Sequence, residues 1–141
     1  MNAPFFEWPV RVYWEDTDAG GVVFYANYLK FFERARTECF RQHGLGQEAL
    51  RQEHGVQLVV AEVSCKYLQS ARLDDALLAT VDELDAGRAS LTFEQSIWRG
   101  QVLLSRSTIR VGCVDAKTLR PCRFPQPVLD ALHNAATAKA G

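Results

Sequence analysis

The chain has 141 residues, 48% of them hydrophobic and 23% charged, and its 16 Lys and Arg against 17 Asp and Glu give a formal charge of −1. That balance excludes a disordered or collagen-like chain and gives no electrostatic case for bulk nucleic-acid binding. One domain over residues 1–141 is expected, large enough to bury a core without disulfides or metals. No apolar run approaches the roughly 20 residues a membrane-spanning helix needs. The opening Met1-Asn2-Ala3-Pro4-Phe5-Phe6-Glu7 lacks the basic start and continuous apolar stretch of a secretory leader. A cytoplasmic protein is the expectation.

Val10-Arg11-Val12-Tyr13-Trp14 alternates and is rich in β-formers, so it reads as a strand. Asp16-Thr17-Asp18-Ala19-Gly20-Gly21 breaks it with a loop able to take unusual backbone angles. A helix is predicted from about Ala26 to His43, with Tyr28, Phe32, Ala35 and Cys39 at helical spacing and Phe31 widening the stripe. Core packing is the preferred role for that stripe over a ligand wall. Gly44 reads as its C-cap. A shorter helix is predicted over Gly46 to His54. Strands follow at Val56 to Leu68, Ala76 to Leu84, Ala89 to Arg99 and Gln101 to Asp115, joined by short turns that favour antiparallel pairing. Pro121, Pro125 and Pro127 argue against regular structure from Arg120 to Pro127, and Val128 to Ala140 reads as a closing helix. The order is strand, long helix, four strands: an α+β fold with the long helix on one face of an antiparallel sheet. A homodimer is the simple inference for covering the other face.

Cys39, Cys65, Cys113 and Cys122 form no C-x-x-C pair, and His43, His54 and His133 are scattered. Reduced thiols with no metal site are the reading. The densest chemistry lies between Tyr13 and Tyr28, where a strand ends, a glycine-rich loop follows and a helix begins. First-turn N–H groups have no internal acceptor and suit a developing negative charge. A carboxylate beside them would complete a base or nucleophile with an oxyanion hole, the equipment of acyl transfer. Asp16 and Asp18 both qualify by spacing, and both are also ordinary turn formers.

Residues 9 to 40, through Glu15-Asp16-Thr17-Asp18-Ala19-Gly20-Gly21-Val22-Val23 to Glu33-Arg34-Ala35-Arg36-Thr37-Glu38, closely resemble the hot-dog-fold acyl-CoA thioesterases of the YbgC type, associated with the Tol–Pal system and close to the 4-hydroxybenzoyl-CoA thioesterases. The resemblance continues at Ala71-Arg72-Leu73-Asp74-Asp75. It implies a five-stranded antiparallel sheet wrapped around the long helix. It implies hydrolysis of acyl-CoA, or of acyl carrier protein thioesters, without metal or organic cofactor. Asp18 takes the family's catalytic position, as nucleophile or general base, and the Tyr25 N–H takes that of the oxyanion donor. Asp16 becomes a structural neighbour. The YbgC type usually has His at the Tyr25 position and Tyr at the Trp14 position, whereas the 4-hydroxybenzoyl-CoA branch carries Tyr at the first.

In that branch a basic cluster opens the strand after the β-turn. Here only Arg88 remains, with Ser90 two residues on, as a candidate for a coenzyme A phosphate; a solvated turn arginine is the equal alternative. Glu33 reads as a solvated helix charge. Family sites of this kind lie between subunits, which implies a homodimer or homotetramer with Arg88 serving a neighbour's site. Two other classes stand beside this reading. A hot-dog hydratase would need a histidine in the loop–helix motif, and none is there. A non-catalytic acyl-binding or scaffold protein at the inner membrane is the second.

Overall fold

The computed structural model describes residues 4–140; Met1 to Ala3, at the head of the stretch read for a leader, and Gly141 lie outside the described residues. Five strands are present: β1 (Phe6–Arg11), β2 (Val56–Tyr67), β3 (Ala76–Ala86), β4 (Ser90–Arg99) and β5 (Val102–Asp115). Three α-helices accompany them: α1 (Tyr28–Gln42), α2 (Gln47–His54) and α3 (Gln126–Ala140). The strands form one sheet in the spatial order β1-β3-β4-β5-β2, with every neighbouring pair antiparallel. This is the hot-dog arrangement, with α1 cradled by the sheet.

The period-2 pattern of the central strands turns Leu91, Phe93, Gln95 and Ile97 of β4 toward α1, paired with Val111, Ile109, Ser107 and Ser105 of β5. The α1 stripe answers with Tyr28, Phe31, Phe32, Ala35, Cys39 and Phe40, all buried. Phe40 meets Phe93 edge-on at 5.5 Å between ring centres. A side chain of this size contributes about 1.5–3 kcal/mol when fully buried, so this seam dominates the core. One polar group is built into it. Gln95 donates from Nε2 to the carbonyls of Phe32 (3.0 Å) and Thr80 (3.2 Å) and accepts from Arg36 Nη1 at 3.0 Å. That satisfied amide pins helix to sheet at one register.

Helix α1 packs toward β1, β3 and β4. On the β2 and β5 side it leaves a cleft of about 240 Å³, lined by Arg36, Phe40, Leu58, Val60 and Val111 among others. The α1 end is set by Gly44 at φ +73°, where the Leu45 N–H bonds back to the Phe40 carbonyl at 2.8 Å.

Two sequence expectations shift. The first strand runs from Phe6 to Arg11 rather than from Val10 to Trp14. Asp16 Oδ2 accepts the Tyr13 N–H at 2.8 Å and draws Trp14–Asp16 into a 3-10 turn, which overrides the alternation. Pro127 lies inside α3, because a proline in a helix's first turn lacks an N–H that would have had no partner anyway.

Candidate active site

The loop between β1 and α1 is a small braced arch. Thr17 pairs with Val23 and Val22 with Arg72, both antiparallel. Across its tip Asp18 N–H donates to the Val22 carbonyl at 2.9 Å, and Gly21 N–H to the Asp18 carbonyl at 3.0 Å. Gly21 closes the tip at φ +82°, a left-handed conformation that favours glycine. The Val23 N–H reaches the Ala71 carbonyl at 2.8 Å, and the Ala71 N–H returns to the buried Tyr28 hydroxyl at 3.0 Å. The arch is therefore fixed to the first turn of α1 through residue 71.

The two aspartates have different surroundings. Asp16 is 2% exposed; its Oδ2 holds Tyr13 and its Oδ1 accepts from Asn27 Nδ2 at 2.9 Å. The sequence reading that made Asp16 a structural neighbour matches this geometry. Asp18 is exposed, and its Oδ1 accepts the Gly20 N–H at 2.8 Å, which fixes the carboxylate. A Cβ on residue 20 would stand 3.3 Å from that same Oδ1, so glycine keeps the approach open.

Tyr25 opens a 3-10 turn, Tyr25–Asn27, that runs straight into α1. Among the described residues its N–H has no main-chain acceptor, as expected at a helical start. The ring is 64% exposed and sits in a cluster. It meets Phe24 at 4.8 Å and Tyr67 at 6.2 Å, while Tyr67 meets Tyr28 at 5.3 Å, all edge-on. Burial, then the neighbouring Cys65 thiol, pushes the Tyr67 phenol up to about 12. Tyr67 escaped the sequence reading, since no local spacing ties the end of β2 to the start of α1. Trp14 is 81% exposed on the 3-10 turn before the arch.

Arg88 and Ser90 lie elsewhere. They flank the β3–β4 turn, whereas the arch packs beside residues 71–75 at the opposite end of β3. An 11-residue strand separates the two places, roughly 30 Å at strand rise. Within one chain Arg88 and Asp18 are not brought together. Glu33 is exposed and accepts from Thr37 Oγ1 at 2.8 Å on its own helix. Among the described residues no three His, Cys, Asp or Glu side chains gather as a metal-binding group.

Residues 12–132 match the family model described as the thioesterase-like superfamily. The chain is 43% identical to the "Acyl-CoA thioesterase YbgC" of Haemophilus influenzae, over 92% of this chain and 95% of that protein. The chain belongs to the thioesterase-like superfamily. Another relative of this superfamily member, the "Acyl-CoA thioester hydrolase YbgC" of Escherichia coli O157:H7, is 43% identical over 92% of this chain and 96% of its own length. Among solved structures, a probable thioesterase from Bartonella henselae superposes with a TM-score of 0.79 at 28% identity, covering 84% of this chain and 98% of that one. A hypothetical protein from Aquifex aeolicus gives 0.83 at 26% identity, covering 90% and 98%. The family match over residues 12–132 spans the arch, α1 and strands β2 to β5.

Proposed function

We propose that this chain, acting as one domain, hydrolyses acyl-CoA thioesters to the free acid and CoA. The observation that carries the reading is the Asp18 carboxylate, exposed yet fixed by the Gly20 N–H at 2.8 Å, in an arch that leads into the Tyr25 N–H, which has no main-chain acceptor among the described residues. Names given to relatives that are 43% identical over most of the chain support the reaction class. Asp18 adds to the thioester carbonyl carbon, or takes a proton from a water that does so. The carbonyl oxygen gains the negative charge and accepts from the Tyr25 N–H. The C–S bond then breaks and the sulfur leaves as thiolate, which takes up a proton; where Asp18 itself attacked, water hydrolyses the resulting Asp18–acyl anhydride to the free acid and restores the carboxylate. Thioesters of an acyl carrier protein present the same reacting atoms.

A second copy completes the site in this reading. Strand β2 is a sheet edge, and Val59, Val60, Val63 and Tyr67 along it are exposed. Pairing there in a homodimer, alone or within a homotetramer, would bring the neighbour's Arg88 and Ser90 to the phosphates of CoA bound at Asp18. No helix among the described residues is long and apolar enough to cross a membrane, and a cytoplasmic setting fits a CoA substrate.

The test is free-thiol release from short, long and aromatic acyl-CoAs by wild type and Asp18→Asn in parallel. Release by wild type alone supports hydrolysis through Asp18. No release by folded wild type would discard it in favour of a non-catalytic acyl-binding protein.

A further inference from the structure

Cys113, near the end of β5, and Cys122, in the segment that returns toward α3, stand directly opposite each other. Val114 bridges Pro121 antiparallel, and one step further the Cys122 N–H donates to the Cys113 carbonyl at 3.0 Å. Opposed residues on such a ladder have Cα atoms about 4.5–5.5 Å apart, within the range a disulfide spans. The two sulfurs lie 3.7 Å apart, the only thiol–thiol contact among the described residues. Closing it to a bond needs side-chain rotation rather than movement of the backbone. Cys113 is 1% exposed, and Cys122 is half-buried and open to small reagents. Neither takes part in the chemistry of the arch.

The same two strands hold the β3–β4 turn. The Cys113 N–H donates to the Ala89 carbonyl at 2.9 Å, and the Phe124 N–H donates to the Arg88 carbonyl at 2.9 Å. One cysteine therefore belongs to the residue that grips Ala89, and the other lies two residues before the one that grips Arg88.

We infer that Cys113 and Cys122 form a reversible disulfide, an oxidation site that locks the turn carrying Arg88. The oxidant is a low-molecular-weight disulfide. The Cys122 thiolate attacks one of its sulfurs, that S–S bond breaks, and one thiolate leaves. Cys113, whose sulfur lies 3.7 Å from that of Cys122, gives up its proton and attacks Cys122 Sγ. The second thiolate departs. Two protein thiols are oxidised, one small disulfide is reduced to two thiols, and the two protons released match the two thiolates formed. Excess reduced thiol reverses the exchange, as suits a cytosolic dithiol.

The experiment equilibrates the folded, full-length protein in glutathione buffers of graded redox ratio. Free thiols are then trapped by alkylation and mapped by mass spectrometry, and amide hydrogen exchange is followed in parallel. Cys113 and Cys122 are expected to lose two hydrogens together, to resist alkylation together, and to recover with dithiothreitol. Amides of Gly87 to Ser90 and Cys122 to Phe124 should exchange about tenfold more slowly in the oxidised form. In Cys122→Ser, whose half-buried site tolerates a hydroxyl, both changes should vanish. A glutathione adduct that persists on Cys122, or protection of Cys39 or Cys65 instead, overturns the site. A disulfide that leaves exchange at Gly87 to Ser90 unchanged overturns the lock.

Discussion

Asn27 Nδ2 donates to Asp16 Oδ1 at 2.9 Å, so the first aspartate of the arch is tied to the residue just before α1. With Oδ2 on the Tyr13 N–H, both oxygens of Asp16 are occupied in a buried place. Asp18, two residues on, has one oxygen on Gly20 and stands in the open. The pair separates into a buried brace and an exposed carboxylate, the one that the proposed reaction uses.

Asp16→Asn should therefore act on stability. Its new amide would face a donor, either Tyr13 N–H or Asn27 Nδ2, and leave a buried N–H unmatched at a cost of about 1–3 kcal/mol. Melting should fall by roughly 3–8 °C. Asp18→Asn should melt close to wild type and lose on the order of 10²- to 10⁴-fold in kcat. Thermal melts and thiol-release assays on both variants check the ranking, and the reverse ranking would exchange their roles.

The oxyanion donor is a main-chain group in this reading, so a change of side chain is the wrong way to remove it. Phe24 sits at φ −60°, ψ 135°, the backbone that a residue before proline prefers. Proline is also well tolerated at the first position of a helical turn. Tyr25→Pro should fold and lose on the order of 10²- to 10³-fold in kcat, the usual loss for an oxyanion-hole donor. Tyr25→Phe, which keeps the N–H, should stay within about threefold. A large loss in Tyr25→Phe would move the task to the hydroxyl.

Arg88 lies a strand's length from Asp18 of its own chain, which makes a mixing experiment decisive. Asp18→Asn and Arg88→Ala chains are each expected to be impaired, the second through a KM raised about tenfold by loss of a phosphate contact. Co-assembled, they leave one site with both defects and one with none, if Arg88 crosses between copies. Purified mixed assemblies should then regain one wild-type site's kcat/KM. An arginine serving its own chain would leave no intact site and no recovery.

Asp75 Oδ2 accepts from Arg99 Nη1 at 3.0 Å and from the Arg72 N–H at 2.9 Å. Burial alone would push its carboxyl up, but the Arg72 N–H and then the Arg99 guanidinium outweigh it and hold it below the usual 3.8. A carboxylate lowered in the folded state stabilises above its unfolded value and loses that support as pH falls through the folded one. The pair's contribution should be constant above about pH 5 and fade below about pH 4. Urea midpoints against pH should show a shallower acid limb in Arg99→Gln than in wild type.

The element order was readable because each signal was local. The α1 stripe at helical spacing, Gly44 as its cap and the turn residues before β3, β4 and β5 all act within a few residues. The start of β1 was misread because the deciding contact, Asp16 with Tyr13, is a side chain competing for the backbone. The loop and helix start are contiguous in sequence, which made Asp16 and Asp18 candidates; the choice of Asp18 and of the Tyr25 N–H came from the family resemblance, and their roles belong to the proposed function. Tyr67 and the Cys113–Cys122 pair were not found, since the packing of the end of β2 against the start of α1 and the return of the chain past β5, not spacing, make them neighbours. Arg88 was legible as a basic turn residue, and its distance from the arch follows only from the length and direction of β3.

Pro9 lies within β1, one rim of the sheet, while β2 forms the other. Proline has no N–H to give an incoming strand, so the β1 rim is blunted against further pairing. The β2 rim has no proline between Val56 and Tyr67. A molecule with one receptive rim joins a like molecule once and is then finished; two receptive rims would let the addition repeat without end. Pro9 thus gives the sheet a stop as well as an edge.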